Sequence, residues 1–144
     1  MKLAFIVCAV PVAQPRQRTR VMAMHGKVVA HNYTPTMHPV NAFKAAVQAA
    51  AHAAYTGPPL EGPVELQLTF VMPRPAAKCW KSRSMPREPY TGKMDWDNLA
   101  KSVCDSLNKL LWRDDGQVWR AFVEVWVASG YEQPHCVVTV LSDT

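Results

Sequence analysis

Two aspartates one residue apart, Asp95 and Asp97, open an amphipathic segment; Lys101 lies four residues beyond the second, and Asp114-Asp115-Gly116 closes the segment. A small carboxylate cluster beside a lysine is chemistry suited to a hard dication, because Mg²⁺ takes oxygen ligands and is usually held by only a couple of carboxylates, with water and substrate phosphates completing its shell. Plainer structural roles compete. An aspartate before an apolar run is a helix N-cap signal, which would account for Asp97, and Asp-Gly is a turn signal, which would account for the downstream pair. Both kinds of role can hold together. A Ca²⁺ loop of the helix-loop-helix type is excluded, because counting from Asp95 the position that needs glycine is Ala100 and the bidentate glutamate position is Ser106.

The element that must carry these residues is readable from its apolar spacing. Leu99, Val103, Leu107, Leu110 and Leu111 predict a helix over about 97–111 with one stripe on a core. Asp97 falls roughly 200° around from Leu99 on a helix of ~3.6 residues per turn, away from that stripe. Lys101 shares its polar side, and Asp105 is placed to pair along the helix with Lys101 or Lys109. Asp114 is expected to order the turn that follows.

The supporting elements follow in order. Lys2 and the run Leu3 to Val10 imitate a signal peptide but are short enough to be a buried strand. Arg16, Arg18 and Arg20 alternate, so an extended chain sets them on one face as a phosphate-contacting edge or a charged edge that resists aggregation. Residues 26–33 suggest a short strand. The alanine-rich stretch from Pro39 to Tyr55 reads as a first helix, ended by Gly57-Pro58-Pro59. Val64 to Met72 alternates as a strand. Val118 to Ala128 is another, with Trp119, Ala121, Val123, Val125 and Val127 on one face; Phe122 and Trp126 on the other suggest a second cover, such as a second subunit. His135 to Leu141 is the last.

Length and composition bound the class. A chain of 144 residues, 49% hydrophobic and 19% charged, supports one domain with a real core. Its net charge of +5 is concentrated: from Pro73 to Lys93, six basic residues face Glu88 alone. That stretch, too long for a mere link, reads as a mobile basic loop that orders on a polyanion, or else as a solvated loop. Trp80 within it could stack on a base or fold back on the core. Cys8, Cys79, Cys104 and Cys136 lack metal-ligand spacing, and Cys8, Cys104 and Cys136 sit among apolar residues as small hydrophobes do, consistent with a reducing cytoplasm. His38 and His52 have no companion at ligand spacing. No segment approaches the roughly 18 apolar residues of a membrane span.

The run from Lys93 to Val118, with its Asp-x-Asp-Asn-Leu-x-Lys, its Asp105-x-Leu107 and its Trp-x-Asp-Asp-x-Gln-Val, closely resembles the RusA family of Holliday-junction resolvases. Pro11-Val12-Ala13-Gln14-Pro15-Arg16-Gln17-Arg18 and Tyr33-Thr34-Pro35 resemble that family's N-terminal part more weakly, so the resemblance covers most of the chain; Met94 stands where many members have proline. The resemblance implies a homodimeric, cytoplasmic endodeoxyribonuclease that uses Mg²⁺, for which Mn²⁺ can substitute, to resolve four-way junctions by paired nicks in recombination and repair. It makes Asp95, Asp97 and Asp115 the metal-binding catalytic carboxylates and Lys101 the catalytic lysine. Expected DNA contacts are Arg16, Arg18, Arg20, Lys78, Lys81, Arg83, Arg87 and Lys93. The expected architecture is a single α/β domain over 1–144, a mixed sheet of four or five strands with two main helices, with 73–93 as its flexible basic loop. A non-catalytic junction-binding module, another metal-dependent nuclease and a metal-dependent phosphatase remain as alternatives.

Overall fold

The computed structural model describes residues 1–16 and 18–143, without the side chains of Arg18 and His31. In chain order its elements are strands β1 (Lys2–Val7), β2 (Arg18–Met24) and β3 (Lys27–Tyr33), helix α1 (Pro39–Ala54), strands β4 (Val64–Met72) and β5 (Glu88–Pro89), helix α2 (Trp96–Leu107), and strands β6 (Val118–Val127) and β7 (His135–Ser142). Five strands form a mixed sheet in the order β1-β7-β4-β6-β5, and β2 with β3 makes a separate hairpin. Among the described strand pairs of that sheet, only β4–β6 is parallel. Parallel neighbours need a long crossover, and here that crossover contains α2.

Both helices cover one sheet face. Phe43, Val47 and Ala51 of α1 and Leu99, Val103 and Leu107 of α2 meet Leu66, Leu68 and Phe70 of β4 and Val138 and Val140 of β7, all buried. Ser102 and Ser106 are also buried on α2, and their hydroxyls donate back to the Leu99 and Ser102 carbonyls at 2.8 and 2.7 Å. His38, expected to be an ordinary surface histidine, caps α1, its Nδ1 accepting from Val40 N–H at 3.1 Å.

Among the described residues, the opposite sheet face has no helix. Register sets Ala4, Thr139, Gln67 and Phe122 in one row across it and Ile6, Val137, Thr69 and Glu124 in the next. Ile6 is 58% and Phe122 51% exposed there. β1 is therefore an edge strand buried on one side only; it ends at Val7, and Cys8, expected among buried residues, is exposed.

Two further expectations are corrected. Trp119 is 65% exposed rather than on the core face, because the register slips where Val118 pairs with Val64 and Arg120 with Glu65, so Trp119 bulges out. The second helix stops at Leu107, not near 111: Lys109 is left-handed at φ 68°, and Leu111 N–H donates to the Leu107 carbonyl at 2.9 Å. Leu111 keeps to the core from a turn, so apolar spacing alone overruns the helix.

The β2–β3 hairpin was half anticipated, as one strand and an extended arginine segment. His25 and Gly26, at φ 51° and 75°, form its turn. Positive φ at both central residues is the type I′ turn that matches strand twist. Pairing puts Val21, Ala23, Val28 and Ala30 on one face and Arg20, Met22, Met24, Lys27 and Val29 on the other.

Candidate active site

The first turn of α2 carries Asp95 and Asp97. The N-cap is Asp95, not Asp97: its backbone is extended at φ −71° and ψ 141°, and its carbonyl accepts the first helical bond from Leu99 N–H at 3.0 Å. An aspartate there ordinarily caps the helix with its carboxylate. This one makes no side-chain cap bond, and Asp97 occupies the second helical position. Both are exposed, and among the described residues neither carboxylate has a hydrogen-bond or ion-pair partner. The helix N-terminus favours their charge without using up their oxygens.

Asp115 is held quite differently. The Trp112 ring is completely buried, and its Nε1–H donates to Asp115 Oδ1 at 2.9 Å. Asp114 Oδ2 accepts from Gly116 N–H at 2.9 Å and caps the 3₁₀ turn Asp115–Gln117. A Cβ at Gly116 would lie 2.7 Å from Asp114 Oδ2, so any larger residue there would push the capping carboxylate aside. Gln117 Oε1 accepts from Arg113 and Asp114 N–H, both at 2.9 Å, while Nε2 donates to the Leu60 and Gly62 carbonyls at 2.8 and 2.9 Å. One amide thus ties the turn to the chain entering β4. The Trp-Arg-Asp-Asp-Gly-Gln run is a scaffold that presents the Asp115 carboxylate, with Oδ2 left over.

One turn beyond Asp97, the Lys101 ammonium donates to both Asp105 oxygens at 3.2 Å, and Asp105 also faces Lys44 at 3.9 Å. Cys104 lies between these groups. Burial pushes its thiol up to about 12, with the charges of Asp115 and Asp105 adding to that and Lys101 opposing it. The thiol stays protonated and inert.

Among the described residues, no three His, Cys, Asp or Glu side chains converge as a metal-holding group. Asp95, Asp97 and Asp115 are presented on two elements rather than as a closed cage. The donor chemistry nevertheless fits Mg²⁺, which needs only a couple of carboxylates besides water and phosphate oxygens, and these carboxylates keep oxygens without a protein partner.

The basic residues divide into two sets. Arg74 anchors the 73–93 segment by donating to the carbonyls of Lys78 (2.7 Å), Pro86 (2.9 Å) and Ala128 (3.2 Å). Trp80 is half-buried, with the Arg83 guanidinium 3.8 Å and that of Arg74 5.1 Å from its ring. It packs against its own loop. Lys78 pairs with Glu88 at 3.1 Å, and Arg87 with Glu132 at 2.8 Å, so two of the expected DNA contacts also hold the loop to β5 and to the β6–β7 turn. Arg87 draws the Glu132 carboxyl down to about 2. Arg16, Arg20, Lys81, Arg83 and Lys93 are exposed with no carboxylate in ion-pair range among the described residues. The Arg18 side chain lies outside them.

Sequence reasoning missed the use of Gln14, which is 8% exposed and whose N–H donates to the Asn98 carbonyl at 2.9 Å. Nothing in a glutamine between alanine and proline signals burial. It missed Glu132 for the same reason. No helix among the described residues is long and apolar enough to cross a membrane.

A comparison with curated protein sequences found no match. The family model described as Endodeoxyribonuclease RusA matches residues 9–140.

Proposed function

The chain belongs to the RusA family of junction-resolving endodeoxyribonucleases, and on that premise we propose that it is a homodimeric, Mg²⁺-dependent enzyme that resolves four-way DNA junctions by paired nicks. The observation that carries the site assignment is the state of Asp95 and Asp97: two carboxylates on the first turn of a helix, one at the N-cap, without a partner among the described residues. A protein that wanted only a capped helix would use the first of them as a cap.

Asp95, Asp97 and Asp115 would hold the dication. When bound, it supplies Lewis acidity, lowering the pKa of a coordinated water and offsetting charge on the phosphoryl oxygens. Trp112 fixes the direction of Asp115, and the α2 backbone fixes the other two. Lys101 donates to a phosphoryl oxygen as negative charge builds on it, a contact that strengthens toward the transition state. Its ammonium has three donors, so it can engage phosphate while still held by Asp105. Arg16, Arg18, Arg20, Lys81, Arg83 and Lys93 contact the DNA backbone, and Lys78 and Arg87 act by keeping the loop in shape.

Nicking two symmetry-related strands requires two sites in the same relation. The helix-free sheet face, with Ile6 and Phe122 exposed on it, supports a second subunit seated there. The test is incubation of labelled four-way, three-way and linear duplex DNA with and without Mg²⁺. Metal-dependent, symmetric cleavage confined to the four-way substrate is expected; equal cutting of linear duplex, or none, would sink the reading.

A further inference from the structure

A pocket of about 380 Å³ opens beside Lys101, walled by Gln14, Pro15, Arg16, Asn98, Lys101 and Asp105. Its two sides come from segments distant in sequence. The Gln14 N–H bond to the Asn98 carbonyl, at 2.9 Å, lays the N-terminal stretch against the first turn of α2. Asn98 directly follows Asp97 and Lys101 is one turn on, so the pocket opens along α2 within a turn of Asp97.

The Gln14 side chain is the feature without a structural account. It is 8% exposed, its Oε1 is buried with no partner, and its Nε2 makes no hydrogen bond among the described residues. Buried polar groups are almost always satisfied, and an exception on a pocket wall marks a place that something outside the chain completes. Arg16 and Lys101 give the pocket two positive charges. The carboxylate on its wall, Asp105, is already shared by Lys101 at 3.2 Å and Lys44 at 3.9 Å.

We propose that this pocket holds one backbone phosphodiester of the bound DNA, with Gln14 and Arg16 as its anchors; this rests on the junction-resolvase reading. Guanidinium and ammonium give charge-assisted bonds to phosphate oxygens. The amide N–H groups of Gln14 and Asn98 add neutral donors of the kind that position a nucleic-acid backbone. The pocket sets where the strand lies relative to Asp97, and so which bond is cut.

The test uses four-way junctions bearing a single uncharged methylphosphonate, moved stepwise through the backbone near the crossover. Binding is measured without divalent metal for the wild type, Arg16→Gln and Gln14→Met. Arg16 is exposed, so its replacement leaves the core alone; Gln14→Met keeps the chain length, with thermal unfolding as the check on folding. The wild type should bind about ten-fold more weakly when one particular phosphate is neutral, the worth of a hydrogen bond to a charged group. Each folded variant should bind the unmodified junction more weakly and lose that positional sensitivity to within about two-fold. A merely structural role would not erase sensitivity at one phosphate. If Gln14→Met fails to fold, Arg16→Gln alone decides. Variants that keep the wild-type interference pattern, or a wild type with no sensitive phosphate, overturn the pocket assignment and leave the resolvase reading standing. A wild type that binds no branched DNA removes that reading itself.

Discussion

Replacing Trp112 by Phe keeps a buried aromatic ring and removes one atom's worth of chemistry, the Nε1–H that donates to Asp115 Oδ1 at 2.9 Å. A hydrogen bond to a charged acceptor is worth ~1.5–3 kcal/mol, and Asp115 is half-exposed, so the low end, about 1.5, applies. The smaller ring leaves a void in a site that is completely buried, adding roughly 1 kcal/mol. For a chain of this length about 2.5 kcal/mol lowers Tm by roughly 8–10 °C. The turn itself should survive, since Asp114 and Gln117 hold it independently through five hydrogen bonds. What is lost is the aim of the carboxylate, and a ~1 Å misplacement can cost about 100-fold in rate. Single-turnover cleavage of a labelled four-way junction at 25 °C, where the variant is still folded, should therefore fall about 10- to 100-fold while metal-free junction binding is unchanged. A variant that loses the expected stability yet cuts within about three-fold of wild type would refute the reasoning: the indole would be bracing the turn and not presenting Asp115.

Four other outcomes are expected. Asp97→Asn removes charge from the second helical position, costing about 0.3–1 kcal/mol of dipole interaction, and should lower cleavage by orders of magnitude with junction binding unchanged or tighter; near-normal cutting would end the case for this carboxylate. Lys81→Gln with Lys93→Gln should reduce the salt slope of junction binding by about two units if each contacts a phosphate, as read from titrations across salt concentrations. In the Arg87–Glu132 pair the folded-state carboxyl sits near 2 against an ordinary value of 4.5, so its stabilisation is fully present above pH 4.5 and is lost as pH falls toward 2. Urea unfolding of Arg87→Met against wild type should show a gap of about 1 kcal/mol or less at neutral pH, because the pair is partly exposed, closing below pH 4. Phe122→Glu on the open sheet face should convert a particle of about twice the 16.1 kDa chain mass into a monomer by light scattering, with uncoupled nicking of the two strands.

Periodicity made the framework legible. β4 alternates over the same residues in sequence and structure, and α1, β6 and β7 fall within a residue or two of their patterns, because each buries a regular stripe in the common core. The Lys101–Asp105 pair and the turn-ordering role of Asp114 were also legible, since both are local contacts. What escaped depends on partners remote in sequence. The bulge at Trp119 is set by strand pairing with β4, and Arg87 meets Glu132 across 45 residues. Which aspartate caps α2 was misjudged because apolar spacing locates a helix but not its first turn. The proposed acidic site was visible as residue types and as a family likeness; that one carboxylate is gripped by a buried indole while the others go ungripped is a matter of packing.

The two-residue turn His25-Gly26 makes the division of labour between the faces of the β2–β3 hairpin a question of arithmetic. Side chains alternate with a period of two, so the row of Arg20, Met22, Met24 and Lys27 stays separate from the row of Val21, Ala23, Val28 and Ala30 only while the turn holds this register. Sliding β3 by one residue against β2 would turn every β3 side chain to the other side and leave two faces of blended character, although no strand residue has changed. A slip of two restores the sorting. Register shifts that this arm can absorb without losing its cationic side therefore come in even steps.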